Sequence, residues 1–63
     1  MRKFEDIMNE MQEIADDYLE VSNGLACPRY SIVSIWVRRY GAFTQRESEI
    51  VDYMYYEKGI LGN

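Results

Sequence analysis

Five carboxylates share one register near the start of the chain. Asp6, Glu10, Glu13, Asp17 and Glu20 follow i, i+4, i+7, i+11 and i+14, which is one face of an α-helix. At 1.5 Å per residue the line runs about 21 Å. Glu5 and Asp16 sit beside it, and no lysine or arginine follows any of the five at i+4. Like charges at that spacing destabilise a helix slightly. Such a stripe either faces solvent, keeping a small chain dispersed, or meets a basic groove on a partner. Its chemistry is electrostatic recognition, not proton transfer. Asp16 and Asp17 point to different sides of a helix and make no acid–base pair.

Catalytic chemistry finds little else to use. The chain has no histidine, so it has no triad, no imidazole acid–base group and no common zinc set. Its one cysteine, Cys27, stands before Pro28. At a helix N-terminus its thiol would have a lowered pKa and raised reactivity; without a histidine partner it reads as a small residue in a connection. No Gly-rich phosphate loop, calcium loop or metal spacing occurs. The reading is a non-enzyme with no cofactor and no metal.

The remaining candidates are basic and aromatic. Arg38 and Arg39 stand close before Gly41, and Arg46 follows that glycine. Helix, glycine turn, helix is the outline of a helix-turn-helix. Residues 43–51, Phe-Thr-Gln-Arg-Glu-Ser-Glu-Ile-Val, resemble the opening helix of the DNA-binding domain of LuxR-type regulators. That resemblance implies a recognition helix further on, and the sequence contains none. A second helix here would set Arg46 and Lys58 against Glu47, Glu49, Asp52 and Glu57, which suits phosphate contact poorly. A small DNA-binding regulator is therefore the alternative reading. In the leading one, Arg38 and Arg39 pair with acids of the first helix, within the protomer or across the dimer. Tyr53, Tyr55 and Tyr56 flank Met54 and cannot all face one core; with Trp36 they are candidate anchors for a partner.

These residues need a scaffold, and 63 residues allow one small domain. Such a chain buries only roughly 60% of its unfolded surface, and a single cysteine leaves no intramolecular disulfide to help. Tight helix packing or an oligomer must supply the rest. A hydrophobic content of 48% is too high for a disordered tail. Arg2 and Lys3 are followed by Glu5 and Asp6, where a signal peptide would need an apolar run. No apolar run is long enough for a membrane span. A cytoplasmic location is expected, and a net charge of −4 disfavours direct nucleic-acid or membrane contact.

The periodicity predicts helices. Phe4, Ile7, Met11, Ile14, Tyr18 and Val21 alternate steps of three and four, and Met8, Ala15 and Leu19 widen the seam. Asn23-Gly24 stops this helix. Pro28 suits the first position of a second, whose face is Ile32, Val33, Trp36, Val37 and Tyr40. Its β-branched and aromatic content also fits a strand. Thr44 and Glu47 form a capping box for a third helix over 45–58, with Ile50, Val51, Met54 and the stem of Glu57 inward. Lys58-Gly59 ends it, and Ile60-Leu61-Gly62-Asn63 is an apolar tail. The expected fold is all-α, a small three-helix domain that forms a dimer. The alternative is α/β, with residues 29–40 as a strand pairing across a dimer axis. The wide first seam places Phe4, Ile7, Met8, Met11, Ile14 and Tyr18 at the homodimer interface.

The functional expectation is a non-enzymatic, acidic protein-binding module. In kind it is similar to the short inhibitors that bacteriophages make against host enzymes or antiviral-defence proteins. Its partner would be a larger host protein, such as one that binds nucleic acid or uses nucleotides.

Overall fold

The computed structural model describes residues 2–57, which form three α-helices and one π-helical turn, with no strand among them. Helix α1 spans Phe4–Val21, α2 Arg29–Tyr40 and α3 Gln45–Asp52. The π-turn, Tyr53–Glu57, continues α3. The all-α reading stands. Lys58-Gly59 and the tail 60–63 lie outside the described residues.

Helix α1 follows its apolar seam. Ile7, Met11, Ile14 and Ala15 are buried, and Met8 and Tyr18 pack at the margin. Glu5 and Asp6 lie in the first turn, where the helix dipole favours negative charge. The helix ends as its Asn-Gly pair predicts. Asn23 and Gly24 both take positive φ, 65° and 103°, and the Gly24 N–H donates to the Leu19 carbonyl at 2.9 Å.

Over Arg29–Tyr40 the chain is helical despite its strand-favouring residues. Propensity separates such residues from good helix formers by less than about 0.7 kcal/mol each. Full burial of one large apolar side chain contributes roughly 1.5–3 kcal/mol. Ile32 and Trp36, one turn apart, are both buried completely, whereas Ser34 between them is exposed; a strand would put all three on one face, and a helix turns Ser34 away. Pro28 is the N-cap and not the first helical residue, with ψ at 154°. Its carbonyl accepts the Ser31 N–H at 3.0 Å. Gly41 closes α2 at φ +83°, donating to the Val37 carbonyl at 2.7 Å.

Helix α3 opens on the predicted capping box. Thr44 Oγ1 accepts the Glu47 N–H at 3.3 Å, and Glu47 Oε1 accepts the Thr44 N–H at 2.8 Å. Ile50, Val51 and Met54 face inward as expected, whereas Glu57 is exposed and adds no stem to the core. The wider π-turn, with its i→i+5 bonding, leaves Met54 buried and Tyr55 half-buried in succession.

Candidate interaction surface

The acidic stripe survives with one member removed. Asp6, Glu13, Asp17 and Glu20 are exposed on α1, and none makes an ion pair among the described residues. Glu10 turns toward α2 instead. Its Oε2 accepts the Tyr40 hydroxyl and, at 3.0 Å, Arg39 Nη1. The Arg2 guanidinium lies over the Tyr40 ring, 3.9 Å from its centre, a cation–π contact. Partial burial works against the Glu10 carboxylate. The hydrogen bonds from Tyr40 and Arg39, with the charges of Arg2 and Arg39, outweigh it and hold its pKa below the ordinary value. The same bond to Glu10 raises the Tyr40 pKa, with burial adding to it. Arg39 thus pairs with an acid of the first helix as expected; Arg38 does not.

The aromatic candidates divide. Trp36 is 0% exposed, so it belongs to the core and is no surface anchor. Helix α2 turns Trp36 and Ile32 toward α1, and an indole is the largest apolar body available to fill that space. Tyr55 is half-buried, and its hydroxyl donates to the Cys27 carbonyl. Burial, then the neighbouring Cys27, pushes its pKa up. Tyr53 and Tyr56 do reach the surface, Tyr56 at 78% exposure. Phe4 packs edge-on against Tyr53, ring centres 5.8 Å apart. At about 100° per residue, Phe4 lies nearly opposite the four exposed acids around α1. Acids and aromatics are therefore two surfaces, not one.

Half of the expected dimer seam is spent within the chain. Ile7, Met11 and Ile14 are buried in its own core, because α2 and α3 both pack on α1. Phe4, Met8 and Tyr18 keep some surface. The basic residues are similarly committed. Arg29 Nε meets Asp52 at 2.7 Å and its Nη2 donates to Ser48 at 3.0 Å, tying the start of α2 to α3. Arg46 Nη1 donates to the Arg2 carbonyl at 2.8 Å.

Cys27 departs from the activated thiol that a helix start would make. With Pro28 as the cap, the thiol lies outside the helix and turns inward. It is buried, and burial pushes its pKa up, outweighing the hydrogen bond with Tyr55. Among the described residues no group of three or more His, Cys, Asp or Glu side chains could hold a metal ion. No helix among them is long and apolar enough to cross a membrane. Sequence reading missed the role of Tyr40, assigned only to an apolar face; its hydroxyl was the available signal, since a tyrosine at a helix edge seeks an acceptor. No family model matches the chain, and neither a curated protein nor a solved structure does.

Proposed function

We propose that this chain is a non-enzymatic module that binds a larger protein through the exposed carboxylates of α1 and blocks a basic, functional surface on it. Phage-type inhibitors of host enzymes or defence proteins are the class it is most like. The observation that carries the reading is the set Asp6, Glu13, Asp17 and Glu20, exposed and without ion-pair partners among the described residues. A stripe of that length, fixed on a helix, is a preorganised negative surface that raises association rate and selects a basic partner. Tyr53 and Tyr56, on another side, would serve only a partner that wraps the domain. The DNA-binding alternative draws less support, since Arg39 and Arg46 are engaged within the fold.

The test reverses charge without touching Glu10, whose loss would also break its contacts with Arg39 and Tyr40. The tagged chain and a Glu13→Lys, Asp17→Lys, Glu20→Lys variant are used to capture partners from a nuclease-treated bacterial lysate. One stoichiometric protein captured by the first and lost by the second, at equal helicity by circular dichroism, supports the reading. Equal capture by both reduces the stripe to a solvated face. Loss of all partners on nuclease treatment transfers the case to nucleic acid.

A further inference from the structure

A groove of about 230 Å³ runs between α1 and α2, lined by Tyr18, Tyr30, Ser31, Ser34, Ile35 and Arg38. It is separate from the exposed acids, and its charge is of the opposite sign. Helix α2 carries Arg29, Arg38 and Arg39 and no acid. Asp52 neutralises Arg29 and Glu10 neutralises Arg39, whereas Arg38 has no ion pair among the described residues. Among the described residues the serine and tyrosine hydroxyls engaged in hydrogen bonds belong to Ser22, Ser48, Tyr40 and Tyr55, and the four hydroxyls of the groove make none. Tyr30 is 74% exposed, a large ring that the chain's own core does not cover.

We propose that this groove binds an acidic peptide segment, its carboxylate on Arg38 and a neighbouring apolar side chain on Ile35 between the rings of Tyr18 and Tyr30. Three features select that occupant. The volume is below the roughly 300–1,000 Å³ of pockets that enclose whole small ligands, so it suits one or two side chains. Arg38 presents a planar fork that matches a carboxylate in a bidentate pair, and the hydroxyls add donors with no internal bond to break. A nucleic-acid strand would bring many phosphates close to the acids of α1, in a chain of net charge −4, whereas a single carboxylate brings one charge to Arg38, the cation of α2 without an ion pair among the described residues. This surface goes beyond the stripe: one recognises basic groups, the other an acidic one.

The experiment titrates the isotope-labelled chain with N-acetyl-Leu-Glu-amide and follows backbone amide shifts by NMR. Saturable shifts at Tyr18, Ser31, Ser34 and Arg38 are expected. The Gln counterpart of the peptide, and the chain carrying Arg38→Ala, should each bind roughly tenfold more weakly, the loss expected for a charge-assisted hydrogen bond. Arg38→Gln serves if the alanine variant loses helicity. The Glu13→Lys, Asp17→Lys, Glu20→Lys variant should still bind the peptide, which separates this proposal from the fate of the stripe. Equal binding of both peptides overturns it, as does the absence of saturable shifts. Shifts centred on the acids of α1, or tighter binding of inorganic phosphate than of the Glu peptide, overturn it too.

Discussion

The Tyr40 hydroxyl donates to Glu10 Oε2, the same oxygen that receives Arg39. That oxygen joins the first half of α1 to the last turn of α2, across a sequence separation that no helix-local contact spans. Glu10→Ala should cost about 1 kcal/mol, the scale of a part-exposed hydrogen bond with a modest ion pair. Asp17→Ala, on the exposed stripe, should change stability by under about 0.5 kcal/mol. Urea denaturation of the two variants checks the contrast, and equal costs would mean the Glu10 contacts contribute nothing.

The same pair sets a pH profile. Glu10 has a lowered folded pKa, so its contribution is present above the ordinary value of 4.5 and is lost as pH falls through the folded value. Tyr40 has a raised folded pKa, so its contribution is full below the ordinary 10.0 and is lost as pH rises through the folded value. Cys27 also has a raised folded pKa, so its contribution is full only below the ordinary 9.0, and stability should plateau between 4.5 and 9.0. Glu10→Ala should shrink the acid arm and reduce the Tyr40 part of the alkaline arm, leaving what burial alone contributes. The parts from half-buried Tyr55 and from Cys27, both also raised, should remain. Melting temperature against pH for both chains is the measurement, and unchanged arms in the variant would refute the assignment.

Gly41 ends α2 in the left-handed region at φ +83°, and a Cβ there would meet nothing within 4 Å. The cost of Gly41→Ala is therefore backbone strain alone, about 1 kcal/mol. Gly41→Asn should cost less, since asparagine tolerates this conformation better. A thermal melt series that ranks Gly, Asn, Ala in falling stability confirms it. Equal values for Asn and Ala would mean the turn relaxes out of the left-handed region.

Helix α1 was legible because its apolar steps and its Asn-Gly stop agree, and α3 because a capping box is a local device readable from four residues. The rest depends on distant contacts. Whether Arg29–Tyr40 is a helix depends on α1 receiving Ile32 and Trp36, which pattern alone does not state. Residue type misled at Trp36: an amphipathic indole fits an interface or a core equally well, and only packing chooses. Glu10 sits in register with the exposed acids, yet it lies at the edge nearest α2, where Arg39 and Tyr40 claim it. The π-turn at Tyr53–Glu57 has no sequence signature comparable to a cap, so the inward placement of Met54 was visible while the half-burial of Tyr55 was not.

Trp36 offers the sharpest test of that reassignment. It is buried completely, and its Nε1 has no hydrogen-bond partner among the described residues. An unpaired buried donor costs roughly 1–3 kcal/mol, so Trp36→Phe loses packing volume but also removes that cost. The net loss should stay below about 2 kcal/mol. Trp36→Ala removes the ring without compensation and should cost about 3–5 kcal/mol. That is comparable to the whole stability of a chain this short, roughly 0.05–0.15 kcal/mol per residue. Urea denaturation of both variants gives the stability comparison. Capture of the proposed partner then separates core from anchor. Trp36→Phe should retain it at full stoichiometry, because a buried ring touches no partner. A folded Trp36→Phe chain that loses its partner would return Trp36 to the binding surface.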